Sequence, residues 1–231
     1  MGNKNRPQKE KRKQKAVSSA NLRVVKPKTS NQYDYLNNLL DSEIPIVFGV
    51  GPAGSGKTLL SVYAAAKSLY DGTVKKIVLT RPVVEAGESL GFLPGTLEDK
   101  IDPYMKPLFD SFLYCFCQQV LGTMLDRGRL EICPLAFMRG RTFTDTYIIL
   151  DEAQNASQEQ IKMMLTRLGD GTQLAITGDP DQSDIRDGGL KFWTELLEDE
   201  YYVSTTQFAI RDNQRRPEVG AVLRKYYNEL L

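Results

Sequence analysis

Short apolar runs alternate along the chain with longer stretches in which apolar residues recur at helical spacing. The runs are continuously apolar, which is typical of strands in a parallel sheet that is covered on both faces. Strands that alternate with helices in this way favour a single doubly wound α/β domain with a mostly parallel sheet. The predicted strands cover residues 44–50, 76–80, 130–133, 146–151, 173–177 and 202–208.

The segments between these strands carry helix signals. Ser157 is placed as an N-cap with Gln160 three residues later, and Pro217 stands at the first position of the last helix. Pro103 and Pro107 interrupt the longest helical stretch. The predicted helices cover residues 58–70, 97–120, 157–168, 188–197 and 217–230.

The N-terminal segment has a different composition. Residues 1–30 hold ten basic residues and one acid, a balance of +9, whereas residues 31–231 hold 20 basic residues and 28 acids, a balance of −8. Before Leu22, the only medium or large apolar residues are Met1 and Val17. Such a segment buries too little surface to offset its ordering entropy, so we predict a disordered basic arm over residues 1–28 and one domain over 29–231. A solubilising tail and a sequence-independent contact to phosphate backbones both remain open for the arm.

Composition excludes several classes of protein. The chain has no histidine, which excludes a Ser-His-Asp or Cys-His triad and His-ligated zinc or haem. Three cysteines cannot form a disulfide framework and are consistent with a reducing compartment. No apolar run reaches the roughly 18–20 residues that span a membrane. We therefore expect a cytoplasmic protein without a membrane partner.

One glycine-rich segment follows the first predicted strand and opens the helix over 58–70. It fits G-x-x-x-x-G-K-[ST], in which the glycines let the backbone curl around a phosphate, the lysine reaches the β and γ oxygens, and the hydroxyl ligates Mg²⁺. Because a strand precedes it and a helix follows it, a phosphate-binding loop is favoured over an ordinary glycine turn. The loop residues are Gly51, Pro52, Ala53, Gly54, Ser55, Gly56, Lys57 and Thr58.

Polar residues end two of the predicted strands. Asp151 ends the run 146–151 and Glu152 follows it, and Gln182 comes shortly after the strand 173–177. The carboxyl ends of parallel strands meet at one edge of a sheet, so these side chains are expected near the loop. There Asp151 would hold Mg²⁺, Glu152 would polarise an attacking water, and Gln182 would sense the γ-phosphate. A simple turn remains the alternative for the segment around Gln182.

These segments, with the long stretches 79–110 and 134–157, resemble the PhoH-like family, the phosphate-starvation-inducible ATPases related to superfamily 1 helicases. The resemblance covers about residues 26–228. It implies a RecA- and helicase-like P-loop NTPase domain that binds and hydrolyses ATP with Mg²⁺. It also implies a helicase-like coupling to single-stranded nucleic acid, RNA ahead of DNA, and a homo-oligomer for which a hexamer is the candidate assembly.

The resemblance assigns further residues. Gln32 lies in a segment similar to the one that contacts adenine in the family, where its amide would bind the base edge. Arg81 matches a helicase segment that contacts nucleic acid, and Arg139 and Arg141 lie in the most recognisable loop of the family. Together with the basic arm, these three arginines form the expected nucleic-acid interface.

The C-terminal arginine motif departs from the family pattern. Residues 214–217 read Gln-Arg-Arg-Pro where the family has Val-Arg-His-Pro, so Arg215 keeps the expected arginine and Arg216 replaces a histidine. An arginine here could act as a finger on the γ-phosphate, in cis or from a neighbouring subunit. A surface arginine is the alternative. The candidates for the finger are Arg81, Arg141, Arg211 and Arg215.

The main functional hypothesis is an Mg²⁺-dependent ATPase coupled to single-stranded nucleic acid. The alternative is an ATP-dependent switch that regulates a protein partner in RNA metabolism. A small-molecule kinase is disfavoured because Glu152 supplies a water-activating acid that a kinase does not require.

Overall fold

The computed structural model of the chain describes residues 22–82, 106, 108–185 and 188–229. Four predictions fall partly outside the described residues. These parts are residues 1–21 of the basic arm, residues 97–105 and 107 of the longest predicted helix with both of its prolines, residue 230 of the last predicted helix, and residues 83–105 and 107 of the long stretch 79–110.

Six parallel strands form one sheet. They are β1 (Ile46–Val50), β2 (Lys76–Arg81), β3 (Leu130–Pro134), β4 (Thr146–Leu150), β5 (Gln173–Gly178) and β6 (Val203–Gln207). Their order across the sheet is β3-β2-β4-β5-β1-β6. All six predicted strands are present, with ends that differ by at most two residues, and the predicted α/β fold with a parallel sheet is confirmed.

Seven α-helical segments surround the sheet in the part of the chain that the structure describes. They are α1 (Ser30–Leu40), α2 (Lys57–Asp71), α3 (residues 108–115), α4 (Gln118–Asp126), α5 (Gln158–Leu165), α6 (Gly189–Leu196) and α7 (Pro217–Glu229). The predicted cap of α5 is confirmed, since Ser157 and Gln160 form a reciprocal capping box. Among the described helices, none is long and apolar enough to cross a lipid bilayer.

Apolar side chains on the two faces of the sheet build two separate cores. Adjacent residues of one strand point to opposite faces, so Ile77 packs with α1, α2 and α4 while Val78 packs with α5 and the turn after β3. Val47 and Phe48 divide in the same way. Coverage on both faces explains why the inner strands β1, β2, β4 and β5 are mostly apolar, whereas the edge strand β6 is mostly polar.

Three local features differ from the sequence-based prediction. The helix predicted over 97–120 is interrupted at residues 116–117, and α4 then extends to Asp126. Helix α1 is not among the predicted helices, and its N-cap is Thr29, whose hydroxyl accepts the Gln32 N–H. The prediction that residues 22–28 belong to a disordered arm was wrong, because Leu22 and Val25 pack against the core.

The carboxyl edge of the sheet brings the predicted chemical residues together. The glycine-rich loop follows β1, Arg81 ends β2, and Asp151 and Glu152 follow β4. Strand β5 lies between β1 and β4 and ends at Gly178. The strand order therefore places the polar residues that end or follow β2, β4 and β5 on the same side of the sheet as the loop.

Candidate nucleotide-binding site

The loop after β1 has a backbone that requires glycine. Gly51 has φ +132° and Gly54 has φ +82°, both outside the range that other residues favour. A Cβ on Gly54 would lie 2.6 Å from Asn213 Nδ2, and a Cβ on Gly51 would clash with the carbonyl of Phe208. The glycines therefore permit both the curl of the loop and the close approach of residues 208–215.

The segment after β6 holds this loop from outside. The Asn213 Nδ2 donates to the carbonyl of Ala53 at 2.9 Å, and the Gln214 N–H donates to the carbonyl of Gly54 at 2.8 Å. The Oδ1 of Asn213 also accepts the N–H of Arg215 at 2.9 Å. One asparagine thus fixes both the loop and the start of the predicted arginine motif.

Helix α2 begins directly behind the loop, at Lys57, after a glycine that offers no side chain to cap it. The N–H groups of its first turn and the helix dipole therefore present positive potential to an anion. The Lys57 ammonium donates to the carbonyls of Gly51 and Pro52 and to the Ser55 hydroxyl. Burial lowers the pKa of Lys57, and the nearby carboxylates oppose that shift.

Asp151 supplies a buried carboxylate opposite the start of α2. Its Oδ1 accepts hydrogen bonds from the Thr58 hydroxyl at 2.8 Å and the Thr177 hydroxyl at 2.6 Å. Burial raises the pKa of Asp151, and the charge of Glu152 raises it further. A hydroxyl and a carboxylate held 2.8 Å apart are hard oxygen ligands, and this donor set fits Mg²⁺.

Glu152 sits in a constrained position beside the same cavity. It adopts φ +53° and ψ +41°, a left-handed conformation that is uncommon for glutamate. Its Oε1 lies 3.0 Å from the Arg81 guanidinium, and its Oε2 accepts from Gln154 Nε2 at 2.6 Å. Both carboxylate oxygens are therefore engaged by neighbouring side chains.

Gln154 connects this carboxylate to the end of β5. It is buried, and its Oε1 accepts the N–H of Asp179 at 3.1 Å. The Asp179 carboxylate in turn accepts from Gln182 Nε2 and from the backbone N–H of Asp181. A chain of hydrogen bonds therefore runs from Glu152 to Gln182, the predicted γ-phosphate sensor.

A cavity of about 260 Å³ opens between these groups. It brings together predicted residues from the loop, from the end of β4 and from the segment after β5, and Arg215 joins them from the other side. Among the described residues, Gln32, Gly51, Pro52 and Ser55 do not line it. The lining residues are Ala53, Gly54, Gly56, Lys57, Thr58, Leu59, Ser111, Asp151, Glu152, Gly178, Asp179, Gln182 and Arg215.

Gln32, predicted to contact adenine, lies behind the loop. Its Nε2 donates to the carbonyl of Ser55 at 2.8 Å, and its Oε1 accepts the N–H of Lys28 at 2.8 Å. The amide thus uses one donor to support the loop and one acceptor to hold the segment that precedes α1. The adenine contact stays a prediction.

The four arginines proposed as fingers lie in different environments. Arg81 and Arg215 border the site, whereas Arg211 is exposed on the turn after β6. Arg141 pairs through both terminal nitrogens with Glu131, and that hydrogen bonding lowers the pKa of Glu131 to about 2.

Arg139 is exposed at the end of the turn that follows β3. The Arg141 guanidinium also stacks on the Phe143 ring, with 4.7 Å between its Cζ and the ring centroid. Of the three arginines predicted at a nucleic-acid interface, Arg141 contacts Glu131 and Phe143, Arg81 contacts Glu152, and Arg139 is exposed.

Sequence reasoning missed three residues that organise the site. Thr177 is a buried hydroxyl directly after the apolar run 174–176 of β5, which is a signal that its oxygen has a partner. Gln154 and Asn213 carry no comparable signal, because their contacts depend on the packing of segments distant in sequence.

Comparison with known proteins agrees with the geometry. A family model described as PhoH-like protein matches residues 24–227. The PhoH-like protein of Bacillus subtilis (strain 168) is 44% identical over 218 residues, which is 91% of this chain and 66% of that protein. The PhoH-like protein of Mycobacterium tuberculosis (strain ATCC 25618 / H37Rv) is 47% identical over 186 residues, which is 79% of this chain and 52% of that protein.

A third relative, Protein PhoH of Escherichia coli (strain K12), is 36% identical over 223 residues, which is 91% of this chain and 60% of that protein. The chain thus spans between about half and two thirds of the length of these relatives. Among solved structures, the large terminase from a thermophilic bacteriophage aligns with a TM-score of 0.51 at 13% identity. That alignment covers 84% of this chain and 49% of the terminase chain, and it shows a shared P-loop NTPase fold. The sequence match, which spans almost the whole described domain, shows that the chain belongs to the PhoH-like protein family.

Proposed function

We propose that this chain is an ATPase that binds ATP with Mg²⁺ at the carboxyl edge of its sheet. The observation that carries the proposal is a single cavity lined by the phosphate-binding loop, the Thr58–Asp151 pair and Glu152. A loop alone would support binding only. A second acid at the same cavity adds a group that can take a proton from water.

Each residue has a distinct part in this proposal. The loop N–H groups, the first turn of α2 and Lys57 bind and orient the phosphates. Thr58 and Asp151 would hold Mg²⁺, which when bound neutralises charge on the phosphates. Glu152 accepts a proton from the attacking water, and Arg215, which lines the same cavity, would stabilise the charge that develops on the γ-phosphate.

Two variants test these roles. Lys57→Ala is expected to weaken ATP binding, whereas Glu152→Gln is expected to keep binding and to lose about 10²–10⁴-fold in kcat, the usual contribution of a general base. Fluorescent-nucleotide titration and a phosphate-release assay separate the two effects. Hydrolysis by Glu152→Gln at the parental rate would disprove the assignment of the base.

We further propose that single-stranded nucleic acid, RNA ahead of DNA, stimulates hydrolysis. The basic arm supports this, because its balance of +9 suits phosphate backbones. Arg139 is exposed after β3, and Arg81 is half-buried at the end of β2. In this proposal both arginines extend the nucleic-acid interface from the arm onto the domain. The assay is the ATPase rate with a panel of single-stranded RNA and DNA, run beside native mass measurement for the proposed homo-oligomer, with a hexamer as its candidate size.

Deletion of residues 1–21 tests the arm and leaves intact the residues that pack on the core. Loss of cationic contacts should lower nucleic-acid affinity and flatten its dependence on salt, since each neutralised phosphate releases counterions. An unchanged salt slope would show that the arm does not contact the strand.

The second candidate function is an ATP-dependent switch for a protein partner. One observation favours it: both carboxylate oxygens of Glu152 are engaged by protein groups, which suits slow turnover. A low ATPase rate that no strand stimulates, even at low salt, would favour the switch over the motor.

A further inference from the structure

The contact between Arg81 and Glu152 joins two strands that end at the same edge of the sheet. The Arg81 Nη2 lies 3.0 Å from the Glu152 Oε1, and the two side chains are 21% and 39% exposed. Arg81 is the last residue of β2, and Glu152 follows β4, the neighbour of β2. The pair is therefore a cross-strand contact at the rim of the candidate active site.

This contact restricts the orientation of the proposed base. A carboxylate accepts a proton from water only when a lone pair points at that water within hydrogen-bond distance. Arg81 takes one Glu152 oxygen, and Gln154 takes the other at 2.6 Å. The left-handed backbone at Glu152 leaves little freedom for the main chain to compensate. Because each oxygen keeps a second lone pair, these contacts fix the orientation of the carboxylate, and loss of one of them is the smallest change that lets it rotate towards a water.

Of the two contacts, the one with Arg81 is the one that an external ligand can compete for. Gln154 is buried and is held on its other side by the Asp179 N–H, so its amide is fixed within the domain. The Arg81 side chain is partly exposed, and a guanidinium binds a phosphodiester as readily as a carboxylate. A phosphate of a nucleic-acid strand therefore has the chemistry to displace the carboxylate.

We infer that Arg81 is a positioning residue that restrains Glu152, and that a phosphodiester of single-stranded nucleic acid releases this carboxylate by binding the guanidinium. The inference rests on the ATPase and nucleic-acid coupling proposed above and supplies a route between them. A partly exposed ion pair shifts such an equilibrium by a factor of about two to five. Release of the restraint is therefore expected to stimulate ATP hydrolysis by the same two- to five-fold.

The test compares steady-state ATPase kinetics of the full chain with and without a single-stranded RNA oligonucleotide. Arg81→Gln removes the charge and is expected to raise basal kcat by about two- to five-fold. The KM for ATP should stay within twofold, and stimulation by the oligonucleotide should shrink by the same factor as the basal rate rises. Arg81→Lys keeps the charge but loses the planar guanidinium, so its basal kcat should lie between that of the parent and that of Arg81→Gln.

Arg127→Gln is the matched control. It removes the same charge from an exposed side chain near the amino end of β3, on the edge of the sheet away from the site, and should leave both rates unchanged. Thermal melting confirms folding of each variant, and Arg81→Met replaces Arg81→Gln if the latter does not fold.

A basal rate that falls or stays at the parental value in the uncharged variant overturns the restraint, since Arg81 would then assist hydrolysis or play no part in it. Undiminished stimulation in that variant overturns release through Arg81. Failure of the proposed function is read separately from the parent: a parental rate that no strand stimulates refutes the coupling, whatever the variants do.

Discussion

Replacing Asp151 by asparagine should stabilise the fold while abolishing its chemistry. The side chain is 5% exposed, and its Oδ1 accepts from both the Thr58 and the Thr177 hydroxyls. Asparagine has the same shape and keeps an oxygen for these two donors. The substitution therefore removes a buried negative charge and little else.

The magnitude follows from the surroundings of that charge. Glu152 repels Asp151, whereas Lys57 and Arg81 partly neutralise it. Because burial raises the pKa of Asp151 despite these cations, its charged form opposes folding, and removing the charge is expected to stabilise the fold by about 1–2 kcal/mol. For a domain of this size that corresponds to a rise in Tm of roughly 2–8 °C.

The effect has a defined dependence on pH. Burial raises the folded-state pKa of Asp151 above its value in the unfolded chain. The parent therefore gains stability from protonating this group at low pH and loses that contribution as pH rises through the raised pKa. The Tm advantage of Asp151→Asn should be largest at neutral or higher pH and should vanish below about pH 4, where the parental side chain is neutral.

Differential scanning fluorimetry at several pH values measures this difference, with and without Mg²⁺ and ATP. Ligand should raise the Tm of the parent and have less effect on the variant, which has lost an oxygen ligand. Asp71→Asn is the control, since Asp71 pairs on the surface with Lys67 and its replacement should change stability by less than about 0.5 kcal/mol. A lower Tm for Asp151→Asn at neutral pH would refute the reasoning, because the charge would then be stabilised by its neighbours.

Three further substitutions probe the packing around the site. Gly178→Ala would place a Cβ 2.6 Å from Gln154 Oε1, and the overpacking should cost about 1–3 kcal/mol in denaturant unfolding; unchanged stability would mean that the glutamine moves aside freely. Asn213→Ala removes two hydrogen bonds that hold the loop and the arginine motif, so ATP affinity measured by titration should fall by about 5–30-fold, and a change under twofold would contradict this role. Arg141→Gln should lose about 1 kcal/mol at neutral pH, and because Glu131 has a lowered pKa, the deficit should shrink as pH falls from about 5 towards 2; a deficit that is constant with pH would exclude the ion pair as its source.

The sheet and the chemical residues were predictable because they follow from general rules. Coverage on both faces makes the four inner strands mostly apolar, so these runs are visible without any alternation. Parallel strands share a carboxyl edge, and this rule alone places Asp151 beside Thr58, 93 positions earlier in the chain.

Other features depend on tertiary packing that no local pattern encodes. The basic composition around Leu22 and Val25 indicated a disordered arm, yet these two apolar side chains are partly buried against the core. The role of Gln154 arises from the direction of its amide between β4 and β5, which the sequence around it does not reveal. Local composition and spacing cannot report contacts that exist only once distant segments have packed.

Two carbonyls of the phosphate-binding loop accept hydrogen bonds from Asn213 and Gln214, just before helix α7. These bonds connect the start of α7 to the loop that would bind the nucleotide. Only residues 215 and 216 separate these contacts from Pro217, the first residue of α7. A ligand that bound α7 and displaced its start would act directly on these two loop contacts. Thermodynamic reciprocity would then require nucleotide to alter the affinity for that ligand by the same factor. The contacts thus give the loop a direct connection to a helix that begins more than 150 residues later in the sequence.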